Sequence, residues 1–206
     1  MIRYKTNGLT LDELRQAAQI QIQELPQGFL SSLGEKPLEL IFAHVARSPL
    51  GIMVLAVEEN TGKVVGYVFG SLDTGKLYKE FLLKRTFQAI RYFAPKLLSW
   101  QRIKKALETL LYPVKKQSQQ DKSGAELLDL AVITSYHGTG VAQQLFKNFV
   151  EECRLRGVKA FEIPTTEGLE RAHRFYEKMG ARRVGSVEVH NGKKTYIYQY
   201  NIQEEL

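Results

Sequence analysis

Apolar residues in the first part of the chain alternate between strand-like and helical spacing. Residues 2–6 predict a short strand, and apolar positions at helical spacing predict two helices, one starting after Thr10 and one ending before Pro49. Glu13, three residues after Thr10, completes a typical capping box. Residues 25–34 contain proline and glycine, so they predict a loop between the two helices.

Strands dominate the next predicted elements. Two apolar runs, 52–57 and 64–70, flank turn-forming residues at 60–63 and predict a β-hairpin. The remaining order is a strand at 127–133, a glycine-containing turn at 135–140, a helix from Val141, a strand at 159–163, a helix at 168–179 and a hairpin at 184–200 turning at Asn191-Gly192. Strands that alternate with helices indicate an α/β domain.

Residues 76–120 interrupt this alternation between the third and fourth strands. Apolar residues recur there at helical spacing and predict two or more amphipathic helices. Residues 76–122 contain twelve Lys or Arg and three acidic residues, so this segment carries the whole excess of the formal net charge of +7. A charge distribution this uneven attracts anionic partners.

Length and composition limit the possible classes of protein. The 206 residues suffice for one domain, which we expect to span 1–206 with the basic insertion 76–120 within it. No apolar run reaches the roughly 18 residues of a membrane span, and no secretory signal is evident, so we expect a cytoplasmic protein. Cys153 is the only cysteine, and the histidines lack metal-ligand spacing. We therefore expect neither a disulfide nor a metal site.

The turn that follows strand 127–133 has the features of an anion site. Gly138 and Gly140 lie just before a helix, where glycines let backbone N–H groups approach a ligand without obstruction. Unpaired N–H groups at a helix N-terminus bind phosphates, and a pyrophosphate is a natural occupant. Glycines also occur at such positions for turn geometry alone, so this motif by itself leaves both interpretations open.

Two motifs together resemble those of the GNAT superfamily of N-acetyltransferases. Its acetyl-CoA motif is Gln/Arg-x-x-Gly-x-Gly/Ala between a strand and a helix; His137 takes the first position, Gly140 the glycine and Ala142 the last. Its second motif, Ala-x-x-Phe-Tyr-x-Lys-x-Gly, matches residues 172–180. The resemblance implies an α/β (α+β) fold with a mixed, mostly antiparallel central sheet of about six to seven strands flanked by helices.

The resemblance also implies a reaction and its residues. Acetyl-CoA would be the acyl donor, and a primary amine of an unidentified acceptor would receive the acetyl group. The backbone of Ala131, Val132 and Ile133 would pair with the pantetheine arm. The pyrophosphate would be held by the turn residues His137, Gly138, Thr139, Gly140, Val141 and Ala142. Tyr176 would lie near the sulfur and protonate the departing thiolate.

Several side chains allow a second interpretation. Tyr176 also fits a core aromatic beside Phe175, and the His137 side chain fits either a phosphate contact or an ordinary loop histidine. The amine must be neutral to attack, so a base is required. Glu126 is the first candidate base and Glu162 the second, although each also fits a solvated charge at a strand edge. Cys153 shares an apolar helix face, which predicts a core residue.

The basic insertion leaves the broader function open. Its helices either pack on the domain with their charges in water, or bind an anionic or lipid-bearing acceptor or a membrane surface. No base-reading motif supports a nucleic-acid partner. The alternative to an enzyme is a non-catalytic acyl-CoA-binding module that reaches a membrane surface or anionic partner through residues 76–120. The sequence leaves the oligomeric state open, a dimer included.

Overall fold

The structure is a computed structural model that describes residues 1–93, 124–188 and 194–202. In chain order its strands and longer helices are β1 (Ile2–Lys5), α1 (Leu11–Glu24), α2 (Phe29–Leu33), α3 (Glu35–Arg47), β2 (Gly51–Glu58), β3 (Val64–Ser71), α4 (Thr74–Phe93), β4 (Glu126–Val132), α5 (Val141–Leu155), β5 (Ala160–Thr166), α6 (Glu170–Lys178), β6 (Arg182–Glu188) and β7 (Lys194–Asn201). The alternation of strands and helices predicted from the sequence is present in this order.

The seven strands form one sheet in the order β1-β2-β3-β4-β5-β7-β6. Neighbouring strands are antiparallel except for β4 and β5, which run parallel. The predicted mixed, mostly antiparallel sheet is therefore confirmed, with seven strands. The predicted turn of the last hairpin, at Asn191-Gly192, lies outside the described residues.

Helices cover both faces of the sheet and create two apolar cores. On one face α5 and α6 pack over β2 to β5, and on the other α1 and α3 pack over β2 and β3. Helix α5 buries the face that its sequence predicted, with Val141, Leu145, Phe146, Phe149, Val150 and Cys153. Burial of a large apolar side chain contributes about 1.5–3 kcal/mol, so this face fixes α5 and the turn before it against the sheet.

The N-terminal helices show one confirmed and one corrected prediction. The Thr10–Glu13 capping box is present, with Thr10 N–H donating to Glu13 Oε2 at 2.8 Å. The predicted loop 25–34 instead contains the five-residue helix α2. Its first turn closes where Ser32 N–H donates to Gly28 O at 3.2 Å. Glycine and proline limited the segment at its ends, but the residues between them allow one helical turn.

Helix α4 opens the predicted insertion and starts directly after β3. Leu77 and Phe81 form its buried side, whereas Leu83, predicted on an apolar face, is 82% exposed. The second predicted helix of the insertion lies outside the described residues, as does the rest of 94–123. None of the helices described is both long and apolar enough to cross a membrane.

Candidate active site

Strands β4 and β5 separate along their length and leave a cleft in the middle of the sheet. Over the described residues of both strands, the ladder holds a single register pair, Glu126 with Glu162, at the start of β4. The backbone bond from Glu162 N–H to Ala125 O, 3.0 Å, lies at the same end. Beyond this point the edge of β4 that faces β5, including Ala131 and Val132, is open to an added extended chain.

The turn after β4 leads directly to the N-terminus of α5. A short 3₁₀ turn at Thr134–Tyr136 precedes Gly138 and Gly140, whose φ angles are 80° and 91°. Only glycine adopts this left-handed region readily, so the turn requires both glycines. A Cβ on Gly138 would meet no atom within 4 Å. The space in front of the turn is therefore open.

Most backbone N–H groups of this turn point away from protein acceptors. Within the described part of the chain, no hydrogen-bond acceptor pairs with the N–H groups of Gly138, Gly140, Val141 and Ala142. The N–H of Thr139 was predicted to bind the pyrophosphate with the others. In the structure it donates to Tyr136 O at 3.4 Å within the turn. Four unpaired N–H groups at a helix N-terminus form an anion-binding cradle.

Side chains from distant elements hold the loop before the cradle. Glu24, the last residue of α1, accepts from Thr134 twice, from its N–H at 2.9 Å and from its hydroxyl at 3.0 Å. Tyr136 donates its hydroxyl to Glu58 Oε1 of β2 at 2.6 Å. The cradle is therefore fixed in advance of any ligand, which lowers the entropic cost of binding.

Both ring nitrogens of His137 contact other protein groups. Its Nε2 lies 2.8 Å from Val132 O, and its Nδ1 lies 2.8 Å from Arg171 Nη1. Since Arg171 can only donate, Nδ1 accepts from Arg171 and Nε2 donates to Val132 O. His137 therefore joins the end of β4 to α6, and the exposed guanidinium of Arg171 lies beside the cradle, where it can attract an anion.

Tyr176 lies inside the core that α5 and α6 form with β4 and β5. Helix α6 buries it to 7% exposure, with its ring centroid 6.3 Å from that of Phe146 and 6.5 Å from that of Tyr198. Burial, and then the negative charge of Asp129, raise the pKa of Tyr176 above its ordinary value. The phenol therefore stays protonated across the neutral range and can donate a proton.

Glu126 and Glu162 are buried side by side where β4 meets β5. Their exposed fractions are 7% and 2%, so their interpretation as solvated charges at a strand edge is wrong. Glu126 Oε2 accepts from the hydroxyl of Thr74 at 2.9 Å, and this hydroxyl lies 2.5 Å from that of Ser71. Parallel pairing brings together two carboxylates that are 36 positions apart in the chain.

A model of the acetyltransferase (GNAT) family matches residues 18–181, which include β4, the cradle, α5, β5 and α6. The chain belongs to the GNAT acetyltransferase family. This match confirms the family resemblance predicted from the two motifs and identifies the chain as an acetyltransferase. The acceptor is not defined by it.

Individual relatives agree with this family. An N-acetylaspartate synthetase from Danio rerio is 35% identical over 72 residues, which cover 35% of this chain and 26% of that protein. The matched part thus spans about a quarter of the relative's length. Arabidopsis thaliana NAA60, solved in complex with acetyl-CoA, superimposes with a TM-score of 0.61 at 16% identity, covering 98% of this chain and 99% of that one. A putative GNAT acetyltransferase from Desulfovibrio desulfuricans gives a TM-score of 0.61 at 14% identity, covering 98% and 100%.

Within this GNAT domain, the structure adds one residue that sequence analysis missed. Asp129, in the middle of β4, is partly buried, and polar groups of Gln21, Tyr67 and the backbone of Leu130 act to lower the pKa of its carboxyl. Burial raises its pKa to about 6. The only sequence signal was an acidic residue within an otherwise apolar strand, which is costly unless the carboxylate is paired or has a role.

Cys153 is the core residue that the sequence predicted. It is fully buried on α5, and burial raises the pKa of its thiol to about 12. A thiol in this state is a poor nucleophile at neutral pH. Cys153 is therefore not suited to carry an acyl-cysteine intermediate.

Proposed function

We propose that the protein transfers an acetyl group from acetyl-CoA directly to a primary amine. The proposal is supported by the open edge of β4, by the four unpaired N–H groups before α5 and by the buried phenol of Tyr176, which packs in the same core cluster as Val132 of β4 and Ile163 of β5. Together they match the three parts of the donor, namely an extended arm, a diphosphate and a thioester.

The donor would bind mainly to backbone groups. Ala131, Val132 and Ile133 would pair with the amides of the pantetheine arm, as an added strand does. Gly138, Gly140, Val141 and Ala142 would donate their N–H groups to the diphosphate. Gly138 supports this fit because a Cβ there would project into otherwise open space. Thr139 and His137 would contribute by shaping the turn, and Arg171 by its positive charge.

Transfer would follow direct attack. The neutral amine nitrogen attacks the thioester carbonyl, the C–S bond breaks, and the departing sulfur takes the proton of Tyr176. The raised pKa of this phenol keeps its proton available. A buried carboxylate would remove the proton that the amine loses, and Glu126 is the candidate that follows from the family resemblance. The buried site excludes bulk water, which strengthens these electrostatic effects.

Calorimetry combined with thiol release tests the proposed function. We expect saturable heat with acetyl-CoA and release of free CoA thiol with at least one amine in a panel. The panel would contain aspartate, spermidine, an aminoglycoside, a peptide with a free N-terminus and a lysine-containing peptide with a blocked N-terminus. Propionyl-CoA and butyryl-CoA would define the acyl length. Heat without thiol release on every amine would identify a non-catalytic acyl-CoA-binding module, and the absence of heat would refute the proposal.

The contact between Glu24 and Thr134 gives a separate prediction about donor affinity. Glu24→Ala removes two hydrogen bonds that fix the cradle, each worth about 0.5–1.5 kcal/mol. We expect the Kd for acetyl-CoA to rise roughly tenfold, since about 1.4 kcal/mol corresponds to a factor of ten, with kcat at saturation unchanged. Gln23→Ala, at an exposed position of the same helix, is the matched control. Equal Kd values for both variants would show that this contact does not organise the cradle.

A further inference from the structure

The imidazole of His137 lies at the junction between the open edge of β4 and the cradle. Ile133 N–H donates to Val65 O at 2.9 Å, so the backbone groups of Ile133 point towards β3. Consecutive residues of a strand point their backbone groups to opposite edges, so those of Val132 point to the open edge. His137 Nε2 lies 2.8 Å from the carbonyl oxygen of Val132. The imidazole therefore covers the last carbonyl of β4, directly before the cradle begins at Gly138.

The same imidazole holds the guanidinium of Arg171. Arg171 Nη1 lies 2.8 Å from His137 Nδ1, while the rest of this side chain is exposed to solvent. A guanidinium carries several N–H donors, so one bond to His137 leaves the others available for a ligand. These donors lie in one plane and match two oxygens of a phosphate group. The contact with His137 thus orients a phosphate-binding group beside the cradle before any ligand is present.

The bond to His137 leaves the positive charge of Arg171 without a carboxylate to balance it. Three other arginines form ion pairs with carboxylates, namely Arg15 with Asp12 and Glu39, Arg154 with Glu151, and Arg156 with Glu152. Among the residues that the structure describes, no carboxylate forms such a pair with Arg171, whose recorded partner is a ring nitrogen. Its charge is therefore available to attract an anionic ligand.

The position of Arg171 within α6 does not favour the stability of the helix. Arg171 is the second residue of α6, which starts at Glu170 and has no side-chain cap at Leu169. The N-terminal end of a helix carries partial positive charge, so an arginine in the first turn is disfavoured. A residue that breaks a local rule of this kind is typical of a functional site. The same partial charge adds to the positive potential that an anion would meet beside the cradle.

We propose that His137 and Arg171 form one phosphate-binding unit, in which His137 orients the guanidinium and Arg171 donates to a phosphate of the acyl donor. This rests on the proposed use of acetyl-CoA and names side chains that complete its phosphate site. His137 is a positioning residue, because Val132 O and Arg171 already occupy its two ring nitrogens. The phosphate belongs either to the diphosphate at the cradle or to the separate 3′-phosphate of CoA, and a guanidinium recognises both in the same way.

Calorimetry with acetyl-CoA and with 3′-dephospho-acetyl-CoA tests this unit. The salt concentration is held at about 0.15 M, where charges farther away than roughly 8 Å are screened. Arg171→Gln should raise the Kd for acetyl-CoA roughly 10- to 10²-fold, the effect of losing one hydrogen bond between charged groups. Lys178→Gln removes the same charge at an exposed position at the other end of α6, and this matched control should leave the Kd unchanged.

His137→Leu separates the orientation of the guanidinium from its charge. This variant keeps Arg171 but removes the ring nitrogen that holds it, so the Kd for acetyl-CoA should also rise. The double variant should bind within about threefold of Arg171→Gln alone, because residues that act through one contact are not additive. Damage to the turn itself would instead weaken binding equally with and without the guanidinium. Additive effects of the two changes would therefore overturn the role of His137.

A thermal melt of the free protein accompanies these measurements. Arg171→Gln should unfold at the same or a higher temperature than the wild type, because it removes a cation from the first turn of α6. Weaker binding together with unchanged or higher stability supports a role in binding the donor. Weaker binding together with a lower melting temperature would indicate a structural role for Arg171 and would overturn the proposal.

The two donors assign the phosphate that Arg171 binds. A Kd that rises for acetyl-CoA but not for the 3′-dephospho form supports a contact with the 3′-phosphate, and equal rises for both support a contact with the diphosphate. An unchanged Kd in Arg171→Gln would overturn the unit and leave acetyl transfer standing. A wild type that shows this dependence of binding but releases no thiol with any amine would refute the transfer and keep the unit.

Discussion

Replacing Tyr176 by phenylalanine is expected to lower kcat by roughly 10²- to 10⁴-fold, the usual contribution of a general acid, while the Kd for acetyl-CoA stays within about threefold. The ring keeps its packing against Phe146 because only the hydroxyl is removed. Without the phenolic proton, the thiolate must leave unprotonated or wait for water. Stopped-flow thiol release at saturating donor and acceptor, combined with calorimetry, measures the two quantities.

The pH dependence of the wild type should agree with this role. Burial and the charge of Asp129 both raise the pKa of Tyr176 above 10.0, so the phenol is protonated throughout the neutral range. The raised pKa means that Tyr176 loses this proton at a more alkaline pH than an ordinary tyrosine does. We therefore expect no alkaline fall in kcat below about pH 10, the ordinary pKa of tyrosine. An alkaline limb between pH 7 and 9 that Tyr176→Phe abolishes would contradict the raised pKa.

Tyr198→Phe is the matched control for the loss of a buried hydroxyl. Tyr198 lies in the same aromatic cluster, and its hydroxyl contacts His173 Nδ1 and Glu177 Oε1, each at 3.1 Å. Its removal should lower the free energy of unfolding by about 1 kcal/mol and leave kcat near the wild-type value. Equal kcat values for Tyr176→Phe and the wild type would exclude Tyr176 as the acid.

The second large effect is expected for Ala142→Asp in the first turn of α5. The new carboxylate would occupy the cradle's N–H groups and repel the diphosphate. Charge-assisted hydrogen bonds contribute about 1.5–3 kcal/mol each, so the loss of one or two should raise the Kd for acetyl-CoA roughly 10²-fold or more. Thermal unfolding should occur at the same or a higher temperature, because an acidic residue at a helix N-terminus stabilises it by about 0.3–1 kcal/mol.

This opposition between binding and stability makes the prediction specific to an anion site. Ala142→Asn has nearly the same size without the charge and should weaken binding far less. Isothermal calorimetry with acetyl-CoA and a thermal melt of the free protein measure the two effects. If Ala142→Asp binds acetyl-CoA as the wild type does, the diphosphate does not bind at the N-terminus of α5. A loss of binding accompanied by a lower melting temperature would indicate misfolding instead of charge repulsion.

Local periodicity was enough to predict most helices and strands, and also the face of α5 that is buried in the core. The apolar positions of α5 recur at helical spacing, and the structure buries that face from Val141 to Cys153. The Thr10–Glu13 cap was equally readable because it involves neighbours three residues apart. The glycine turn and the motif at 172–180 led to the family because their spacing is fixed within short segments. Each of these features depends on contacts along a few turns of chain.

Predictions failed where short-range signals were ambiguous. Residues 25–34 contain proline and glycine at their ends, yet five residues between them form α2. Helical spacing placed Leu83 on an apolar face, but its side chain is exposed. The buried side of α4 instead carries Leu77 and Phe81. In both cases tertiary contacts chose between conformations that the local sequence allowed.

The sequence by itself determined the order of the elements, the cradle before α5 and the motif that carries Tyr176. Only the tertiary structure decided which carboxylates are buried on β4 and β5. Parallel pairing of β4 with β5 buried Glu126 beside Glu162, and a β-bulge shifts the register of β4 against β3 between Leu127 and Asp129. Strand pairing and bulges arise between segments far apart in the chain, so the periodicity of a single strand does not encode them.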